Sequence, residues 1–184
     1  MGDPKKQRKK YQTPSHPWER DRIEKEKILT ENYGLKNKKE IWKAQSMLRK
    51  FTAQTKKLIA THTEQAKKEE QQLLSKLFKY NLITKDAKIE DVLAIDINKI
   101  LERRLQTMVF KKNIARTPNQ SRQFITHGHI FVDNKKVDVP SYLISRDEEN
   151  KISINPSSTL SKDDHPERKI KPKKVKKESK EENE

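Results

Sequence analysis

The chain has 184 residues and a mass of 21.8 kDa, which allows one domain or two small ones. Hydrophobic residues make up 30% of it and charged residues 38%, so we do not expect one large self-sufficient core. The net charge of +16 favours a polyanionic partner, because the excess positive charge repels itself in the free protein.

Missing residue types and motifs argue against several functional classes. The chain has no cysteine, which excludes disulfides, a thiolate zinc site and a cysteine nucleophile. It has 3 glycines and no GxGxxG or GxxxxGK[ST] motif, which argues against a phosphate-cradling loop. No apolar run approaches the roughly 18 residues of a membrane span, and residues 1–10 lack the apolar segment of a secretory signal. We therefore expect a soluble, cytoplasmic protein that does not contact membranes.

The positive charge is concentrated in two segments. Residues 1–60 carry 17 basic and 7 acidic side chains, whereas residues 61–98 carry 6 and 7. Residues 99–146 carry 10 and 3, and residues 147–184 carry 10 of each. A charge run is usually a solvated helix face, but that explanation fails for residues 99–146, where acidic residues are scarce.

The N-terminal half is predicted to be an extended arm followed by helices. Residues 1–17 are basic and contain three prolines, so we expect an arm that becomes ordered only on a partner. Residues 18–32 are predicted to form a helix that Gly34 ends in the left-handed conformation. Asn37 and Glu40 fit a capping box that starts the next helix.

That second helix combines an apolar stripe with a basic ridge. The ridge is formed by basic residues that recur every seven positions and one neighbour, namely Lys43, Lys50, Lys57 and Arg49. Thr61 and Glu64 suggest another capping box, for a helix over residues 64–80 that Asn81 ends. Residues 89–94 fit a short helical turn. The apolar stripes of these helices indicate helix-to-helix packing rather than a cofactor site.

Residues 96–155 carry the strongest pattern. Asp96 is predicted to cap one helix with apolar residues at helical spacing through Val109. Thr117, Pro118 and Gln120 predict the start of a second, short helix that Gly128 ends. The tight connection between the helices predicts an L or a hairpin.

A change to period-two alternation then predicts a small sheet. We expect strands at 129–132 and 137–139 around a turn at 133–136, with possible edges at 142–144 and 151–154. The fold class is therefore α+β, with a helical N-terminal region and a module of two helices on a small, mainly antiparallel sheet. The predicted divisions are an arm at 1–17, a helical domain at 18–95, the module at 96–155 and a disordered charged tail at 156–184.

Several linked motifs in the module resemble one family. They run in order as Leu101-Glu102-Arg103-Arg104-Leu105, Ala115-Arg116-Thr117, Gln120-Ser121-Arg122-Gln123-Phe124-Ile125, His127-Gly128-His129-Ile130, Val132-Asp133-Asn134 and Pro140-Ser141-Tyr142. This order and spacing resemble the RNA-binding domain of the small-subunit ribosomal protein S-four family. Tyr33-Gly34-Leu35-Lys36 and the opening Gly2-Asp3-Pro4-Lys5 are similar to the archaeal members, so the resemblance covers roughly residues 2–155.

The resemblance implies a structural ribosomal protein rather than an enzyme. Family members bind small-subunit ribosomal RNA directly, nucleate assembly of the subunit body, lie beside small-subunit protein five and influence decoding accuracy. Two departures are visible. The cysteine zinc site of some members is absent here, and the Asn-Gly turn of many members is replaced by Asn134-Lys135.

The residue types in the basic segments suit RNA. Arg meets phosphate with a planar fork, Lys adds point charges, and hydroxyl and amide groups donate to phosphate or 2′-OH. We also expect the start of the helix at 118–127 to seat a phosphate. The predicted RNA-binding residues are Lys43, Arg49, Lys50, Lys57, Arg103, Arg104, Lys111, Lys112, Arg116, Thr117, Ser121, Arg122, Gln123, His127, His129, Lys135 and Lys136.

Structural roles compete with several of these assignments. Thr117 is first a helix cap, the stem of Arg104 could simply cover the core, and Arg122 is expected to point its fork outward. His127 and His129 have no third ligand nearby in sequence, so we expect no metal. The few acidic residues of the module provide no catalytic set, so we expect no cofactor and no small-molecule substrate.

Three other functions remain open. The same module occurs appended to pseudouridine synthases and aminoacyl-tRNA synthetases, but the roughly 95 preceding residues here are helical and basic rather than a catalytic domain. A ribosome-biogenesis paralogue that binds precursor RNA would share the fold. Co-sedimentation with mature small subunits would separate it from a ribosomal protein. A nonspecific DNA-compacting protein would lack a defined footprint on ribosomal RNA.

Overall fold

The computed structural model describes residues 2, 5, 8–61 and 63–161. Within them the elements follow in the order α1 (Arg20–Tyr33), α2 (Lys38–Ala60), α3 (Glu64–Lys79), a 3₁₀ helix (Ile89–Ala94), α4 (Ile97–Glu102), α5 (Leu105–Lys111), α6 (Pro118–Thr126), β1 (Ile130–Val132), β2 (Lys135–Lys136), α7 (Arg146–Glu149), β3 (Ile152–Ile154) and a 3₁₀ helix (Thr159–Ser161). The predicted α+β class is confirmed.

The predicted end of α1 is correct, whereas the capping residues predicted for the starts of α2 and α3 are wrong. Gly34 ends α1 with φ 59°, as expected. Asn37 makes no capping hydrogen bond at the start of α2, and the Glu40 side chain instead contacts two arginines far along the chain. Thr63 rather than Thr61 caps α3, because its Oγ1 accepts a hydrogen bond from the Ala66 N–H at 3.2 Å. Both predicted capping boxes are therefore wrong.

The N-terminal arm packs on the protein itself. The Tyr11 ring lies 6.0 Å from the Trp42 ring of α2, and the Gln12 N–H donates to Ser46 Oγ at 2.9 Å. Arg22 on α1 donates to the backbone carbonyls of His16 and Pro17. The expectation that the arm needs a partner to become ordered is thus wrong for its described part, since Trp42 and Arg22 supply that partner within the chain.

The predicted helix after Asp96 is broken in the middle. α4 ends at Glu102 and α5 begins at Leu105, with Arg104 in extended backbone between them. The break is stabilised from a distant segment, because the Leu105 N–H donates to the Tyr142 carbonyl at 2.8 Å and the Ile144 N–H donates to the Arg103 carbonyl at 3.0 Å. The predicted edge at 142–144 contributes one bridge, between Arg104 and Leu143.

The second helix of the module forms as its sequence predicts. Thr117 caps α6 by accepting from the Gln120 N–H at 3.1 Å, and Pro118 occupies the first turn. Gly128 follows with φ 74°, where a Cβ would collide with the Lys136 side chain. The left-handed backbone therefore favours glycine at this position, whereas the flexible, exposed end of the Lys136 side chain can move aside for a Cβ.

The small sheet is antiparallel, with β1 in the centre and β2 and β3 on either side. The turn is tighter than expected. Asp133 and Asn134 have φ 50° and 62°, which gives a two-residue turn whose twist matches a hairpin. The second strand is consequently Lys135–Lys136 rather than 137–139, so that part of the prediction is wrong. β3 lies within the predicted edge at 151–154.

The buried apolar residues form two clusters. The first draws on residues from Leu35 to Leu101 and the second on residues from Leu105 to Leu160. Leu160 is 7% exposed, so the predicted disorder after residue 156 is wrong for the described part of that segment. The remainder of the predicted tail, 162–184, lies outside the described residues. None of the described helices has the length and apolarity needed to cross a membrane.

Candidate nucleic-acid interface

A buried glutamine joins the first helix to the module. Gln106 on α5 is fully buried, and its Nε2 donates to the carbonyls of Tyr33 at 3.2 Å, Gly34 at 2.8 Å and Pro118 at 3.0 Å. The contact is close, because a Cβ at Gly34 would lie 2.7 Å from Asn119 Oδ1. The C-terminus of α1 thus packs against the start of α6. This packing counts against the predicted phosphate seat there, since protein atoms fill the adjacent space.

A carboxylate on α2 holds two predicted RNA-binding arginines. Glu40 Oε2 lies 2.6 Å from Arg104 Nη2, and its Oε1 lies 2.8 Å from Arg122 Nη2. Burial alone raises the pKa of Glu40, but the hydrogen bonds and charges of Arg122 and Arg104 outweigh it and hold this pKa below its ordinary value. The expected outward orientation of Arg122 is therefore wrong, since its fork is paired inside the protein.

Three other predicted contact residues have structural roles. Arg103 is 7% exposed, pairs with Glu149 at 2.8 Å and donates to the Ile144 carbonyl at 3.2 Å. Ser121 is fully buried and donates to the Thr117 carbonyl at 3.2 Å. Thr117 is occupied as the cap of α6. Burial of Arg103 and Ser121 argues against direct contact with RNA, and we assign them to positioning the module.

A basic cleft lies between α2, the arm and the module. It encloses about 590 Å³ and is lined by Lys10, Glu40, Lys43, Ala44, Met47, Lys50, Ile100, Arg104, Arg122, Pro140, Ser141 and Leu143. Glu40 pairs with both arginines but offsets only one of their two positive charges. Lys10, Lys43 and Lys50 are exposed and make no ion pair with any residue that the structure describes. The cleft therefore presents uncompensated positive charge.

A second basic surface surrounds the hairpin, and we call it the hairpin patch (His127, His129, Lys135 and Lys136). Lys135 and Lys136 form the exposed edge strand, and the Lys136 side chain crosses Gly128. The two histidine rings are stacked with centroids 6.1 Å apart, and His129 Nδ1 shares a hydrogen bond with Ser158 Oγ at 2.8 Å. Among the described residues, no group of three or more potential ligands could hold a metal ion.

The remaining predicted residues lie outside both surfaces. Lys111 pairs with Glu102 at 2.9 Å, and Arg49 donates to Gln12 Oε1 at 3.0 Å. Lys57 on α2 and Gln123 on α6 are exposed, whereas Lys112 and Arg116 are half-buried. The structure thus brings together Lys43, Lys50, Arg104 and Arg122 at the cleft, and four others at the hairpin patch.

Sequence reasoning missed three residues that organise the cleft. The sequence predicts Lys10 only as part of a basic arm and Glu40 only as a capping residue, and it predicts no contact for Gln106. The basic character of Lys10 was a signal. Glu40 and Gln106 carried none, because their partners lie 64 to 82 residues away for Glu40 and up to 73 residues away for Gln106.

Known proteins with similar sequences cover nearly the whole chain. The S4 domain matches residues 103–150, the segment that holds α5, α6 and the hairpin. Small ribosomal subunit protein uS4 of Methanococcus aeolicus is 50% identical over 169 residues, which are 91% of this chain and 96% of that protein. The uS4 protein of Methanothermobacter thermautotrophicus is 46% identical over 162 residues, covering 88% of this chain and 95% of that protein.

A third relative agrees with these two. Small ribosomal subunit protein uS4 of Methanococcus maripaludis is 49% identical, and the match covers 91% of this chain and 95% of that protein. These matches of 162 to 169 residues are much longer than the S4 domain match at 103–150, so the similarity is not confined to one shared module. The chain belongs to the uS4 family of small ribosomal subunit proteins.

Proposed function

We propose that this protein binds small-subunit ribosomal RNA directly and acts as a structural component of the small ribosomal subunit. The observation that carries the proposal is the basic cleft, whose three lysines lack ion-pair partners among the described residues. Proteins hold RNA mainly through phosphate and 2′-OH contacts, and unpaired cations in a concave surface suit that chemistry. Membership of a small-subunit family supports small-subunit ribosomal RNA as the partner in this proposal.

The hairpin patch provides a second contact surface in this proposal. Lys135 and Lys136 are exposed on an edge strand and form no ion pair with a described carboxylate. The RNA contacts in this proposal are thus made by exposed residues of α2, α6 and the hairpin, namely Lys43, Lys50, Lys57, Gln123, His127, Lys135 and Lys136. Arg103, Arg104, Ser121 and Arg122 position these surfaces instead.

The resemblance also supports roles within the particle. We propose that the protein helps to nucleate assembly of the subunit body on cytoplasmic ribosomes, lies beside small-subunit protein five and contributes to decoding accuracy, without an enzymatic activity. The similarity of both the N-terminal helices and the module to ribosomal relatives favours this function over a biogenesis paralogue. We retain 1–17, 18–95, 96–155 and 156–184 as proposed functional divisions.

The test is RNA binding by the full chain. We expect it to prefer a transcript of Methanococcus aeolicus small-subunit ribosomal RNA over large-subunit RNA of matched length, with affinity falling steeply as salt rises. Replacing Lys135 and Lys136 with Ala should weaken binding. It should also reduce the slope of the logarithm of the binding constant against the logarithm of the salt concentration by roughly one to two. Equal binding to both RNAs would contradict the proposal.

The matched control removes the same charge elsewhere. Lys67 and Lys68 are exposed on α3, within residues 61–98, where basic and acidic side chains nearly balance, so replacing both with Ala lowers the net charge equally. We expect this pair to leave the affinity and its salt dependence nearly unchanged. An equal loss for both double variants would show that the hairpin patch is not a contact surface.

A further inference from the structure

We propose that the basic cleft holds a single unstacked nucleotide of the bound RNA. Its base lies on the apolar wall of the cleft, which is formed by Met47, Ile100 and Leu143. Its flanking phosphates lie at the rim lysines, which are Lys10, Lys43 and Lys50. The inference rests on the proposed function and names what enters this cleft. It follows from the chemistry of the wall, the spacing of the charges, the size of the space and its rigidity.

The wall is apolar where a phosphate site would be polar. Met47 from α2, Ile100 from α4 and Leu143 from the module line the cleft beside its cations. Met47 and Leu143 are only half-buried, although both pack on the first apolar cluster. A base has two flat faces that gain from such a surface, and the methionine thioether makes favourable contacts with aromatic rings. A phosphate alone gains nothing from it.

The lysines that line the cleft come from two segments, α2 and the arm. Lys43 and Lys50 lie seven residues apart on α2, which places them about 10 Å apart along the helix axis. Lys10 lines the same cleft from the arm. Charges separated in this way can meet the phosphates on both sides of one nucleotide, whereas a single bound phosphate would need them to converge.

The size of the cleft limits what can enter. Its volume of about 590 Å³ falls within the range of roughly 300–1,000 Å³ that small-molecule sites occupy. An RNA double helix, about as wide as a small domain, cannot enter such a space. Sequence-specific proteins commonly bind RNA by taking up bases that are splayed out of loops and junctions. One extruded nucleotide matches the volume, the wall and the rim together.

The floor of the cleft is formed before RNA arrives. Glu40 ties α2 to Arg104 and Arg122, with separations of 2.6 and 2.8 Å, so these arginines are already ordered. The carboxylate is neutralised by its two partners and does not repel an approaching phosphate. A preformed site avoids much of the ordering cost of binding.

Filling the apolar wall without changing charge tests the inference. Met47→Trp places a larger side chain in the cleft. We expect it to reduce the affinity for the Methanococcus aeolicus transcript by roughly tenfold, which corresponds to the loss of about one buried apolar contact. The salt dependence should stay unchanged, because no cation is removed. The matched control is Ala53→Trp, at an exposed position of α2 outside the cleft lining, which should bind as wild type.

Crosslinking provides a second measurement that does not depend on how the Trp variant folds. A benzophenone amino acid at position 47 should crosslink to one nucleotide of the transcript, whereas the same group at position 53 should not. Wild-type affinity for Met47→Trp, or crosslinks from position 47 that are absent or scattered, would overturn the inference. An acidic peptide of a neighbouring protein crosslinked from position 47 in assembled subunits, without RNA, would also overturn it. If wild-type protein fails to prefer the small-subunit transcript, the proposed function fails instead.

Discussion

Single polar side chains determine how the segments of this protein meet. The buried Gln106 amide serves three backbone carbonyls from two distant segments, and its Oε1 lies 3.4 Å from Arg122 Nη1. An amide in this position satisfies groups that would otherwise be buried without a donor. Gln106 therefore contributes more to the free energy of unfolding than a typical surface glutamine does.

Removing that amide should destabilise the fold. Gln106→Leu keeps the approximate volume but leaves buried carbonyls without donors, so we expect a loss of about 1–3 kcal/mol in the free energy of unfolding. Urea denaturation measures it. Gln123→Leu, at an exposed position of α6, serves as the control and should change stability by no more than about 0.5 kcal/mol. Equal effects of the two substitutions would show that the Gln106 hydrogen bonds contribute nothing.

Tyr142 gives the molecule a distinct alkaline behaviour. Its hydroxyl donates to Glu148 Oε1 at 2.7 Å. This hydrogen bond, with burial and the nearby charges of Glu148 and Tyr80, raises the pKa of Tyr142 to about 12. Because the folded pKa lies above the ordinary value of 10.0, the associated stability is complete below pH 10.0 and is lost as the pH rises toward 12.

Ultraviolet titration of tyrosinate can detect this group. We expect Tyr142→Phe to abolish the most alkaline ionisation step, and Glu148→Gln to move that step to lower pH because the charged acceptor is gone. If the step persists in Tyr142→Phe, it belongs to another tyrosine, and the Tyr142–Glu148 hydrogen bond does not control it.

The residues that sequence predicts well are those with local causes. Gly34 and Gly128 adopt the left-handed backbone that follows a helix, and Thr117 accepts from an N–H three residues later. Each signal and its partner lie within one helical turn or its immediate flank. Glu40 resembles an N3 capping residue in the same local sense, but two arginines at a distance compete for its oxygens and win.

At the scale of elements, the break between α4 and α5 shows where periodicity misleads. The apolar spacing continues across Arg103 and Arg104 as though one helix were present, although α4 packs into the first apolar cluster and α5 into the second. The backbone is interrupted by hydrogen bonds to Tyr142 and Ile144, about forty residues downstream. No pattern within a helix-sized window can report such a partner, and the same holds for the tight hairpin turn without glycine.

The last described element also tests an expectation from composition. Leu160 lies in the final 3₁₀ helix and belongs to the second apolar cluster, although the surrounding sequence is polar. We expect Leu160→Ala to cost about 2–3 kcal/mol of unfolding free energy. The loss should be the same in the full chain and in a chain that ends at residue 161, since the charged composition of residues 162–184 predicts little burial.

Thermal and urea melts of wild type and Leu160→Ala, each as the full chain and as a chain that ends at residue 161, test this prediction. Leu93→Ala provides the comparison at an exposed leucine, 41% accessible, where a change within about 0.5 kcal/mol is expected. A neutral Leu160→Ala would mean that the terminal 3₁₀ helix is not packed in solution. A marked loss of stability on ending the chain at 161 would show that residues 162–184 contribute to the fold.

At the scale of the whole molecule, the two apolar clusters are connected partly by polar contacts. Glu40 on α2 reaches Arg104 and Arg122 in the module, and Gln106 reaches the end of α1. Buried ion pairs add little net stability compared with apolar packing, but they fix geometry, and losing one partner leaves a costly charge. The relative position of helices and module, and with it the shape of the basic cleft, therefore depends on charge pairing.

Acid should weaken this connection in a defined direction. The pKa of Glu40 is held below its ordinary value of 4.5 in the folded protein. Its stabilising contribution is therefore present above pH 4.5 and is lost as the pH falls through the folded pKa. We expect Glu40→Gln to be less stable than wild type at neutral pH, with the difference narrowing in acid.

Urea midpoints measured across acidic pH test this behaviour. Glu31→Gln removes an exposed carboxylate of α1 that has no ion-pair partner among the described residues, so its urea midpoint at neutral pH should be nearly that of wild type. A constant difference between wild type and Glu40→Gln across the titration would show that the carboxylate is not paired in its ionised form.

The separation of the two apolar clusters along the chain also dictates an order of folding during synthesis. All buried members of the first cluster precede those of the second, so the N-terminal helices can collapse while the module is still on the ribosome that makes it. Arg104, Gln106 and Arg122 emerge later and close contacts across 64 to 82 residues with Glu40 and across 72 residues with Gly34. Such distant contacts form slowly. A nascent chain thus remains without its basic cleft until translation has passed the module, which postpones RNA capture by this surface to the end of its own synthesis.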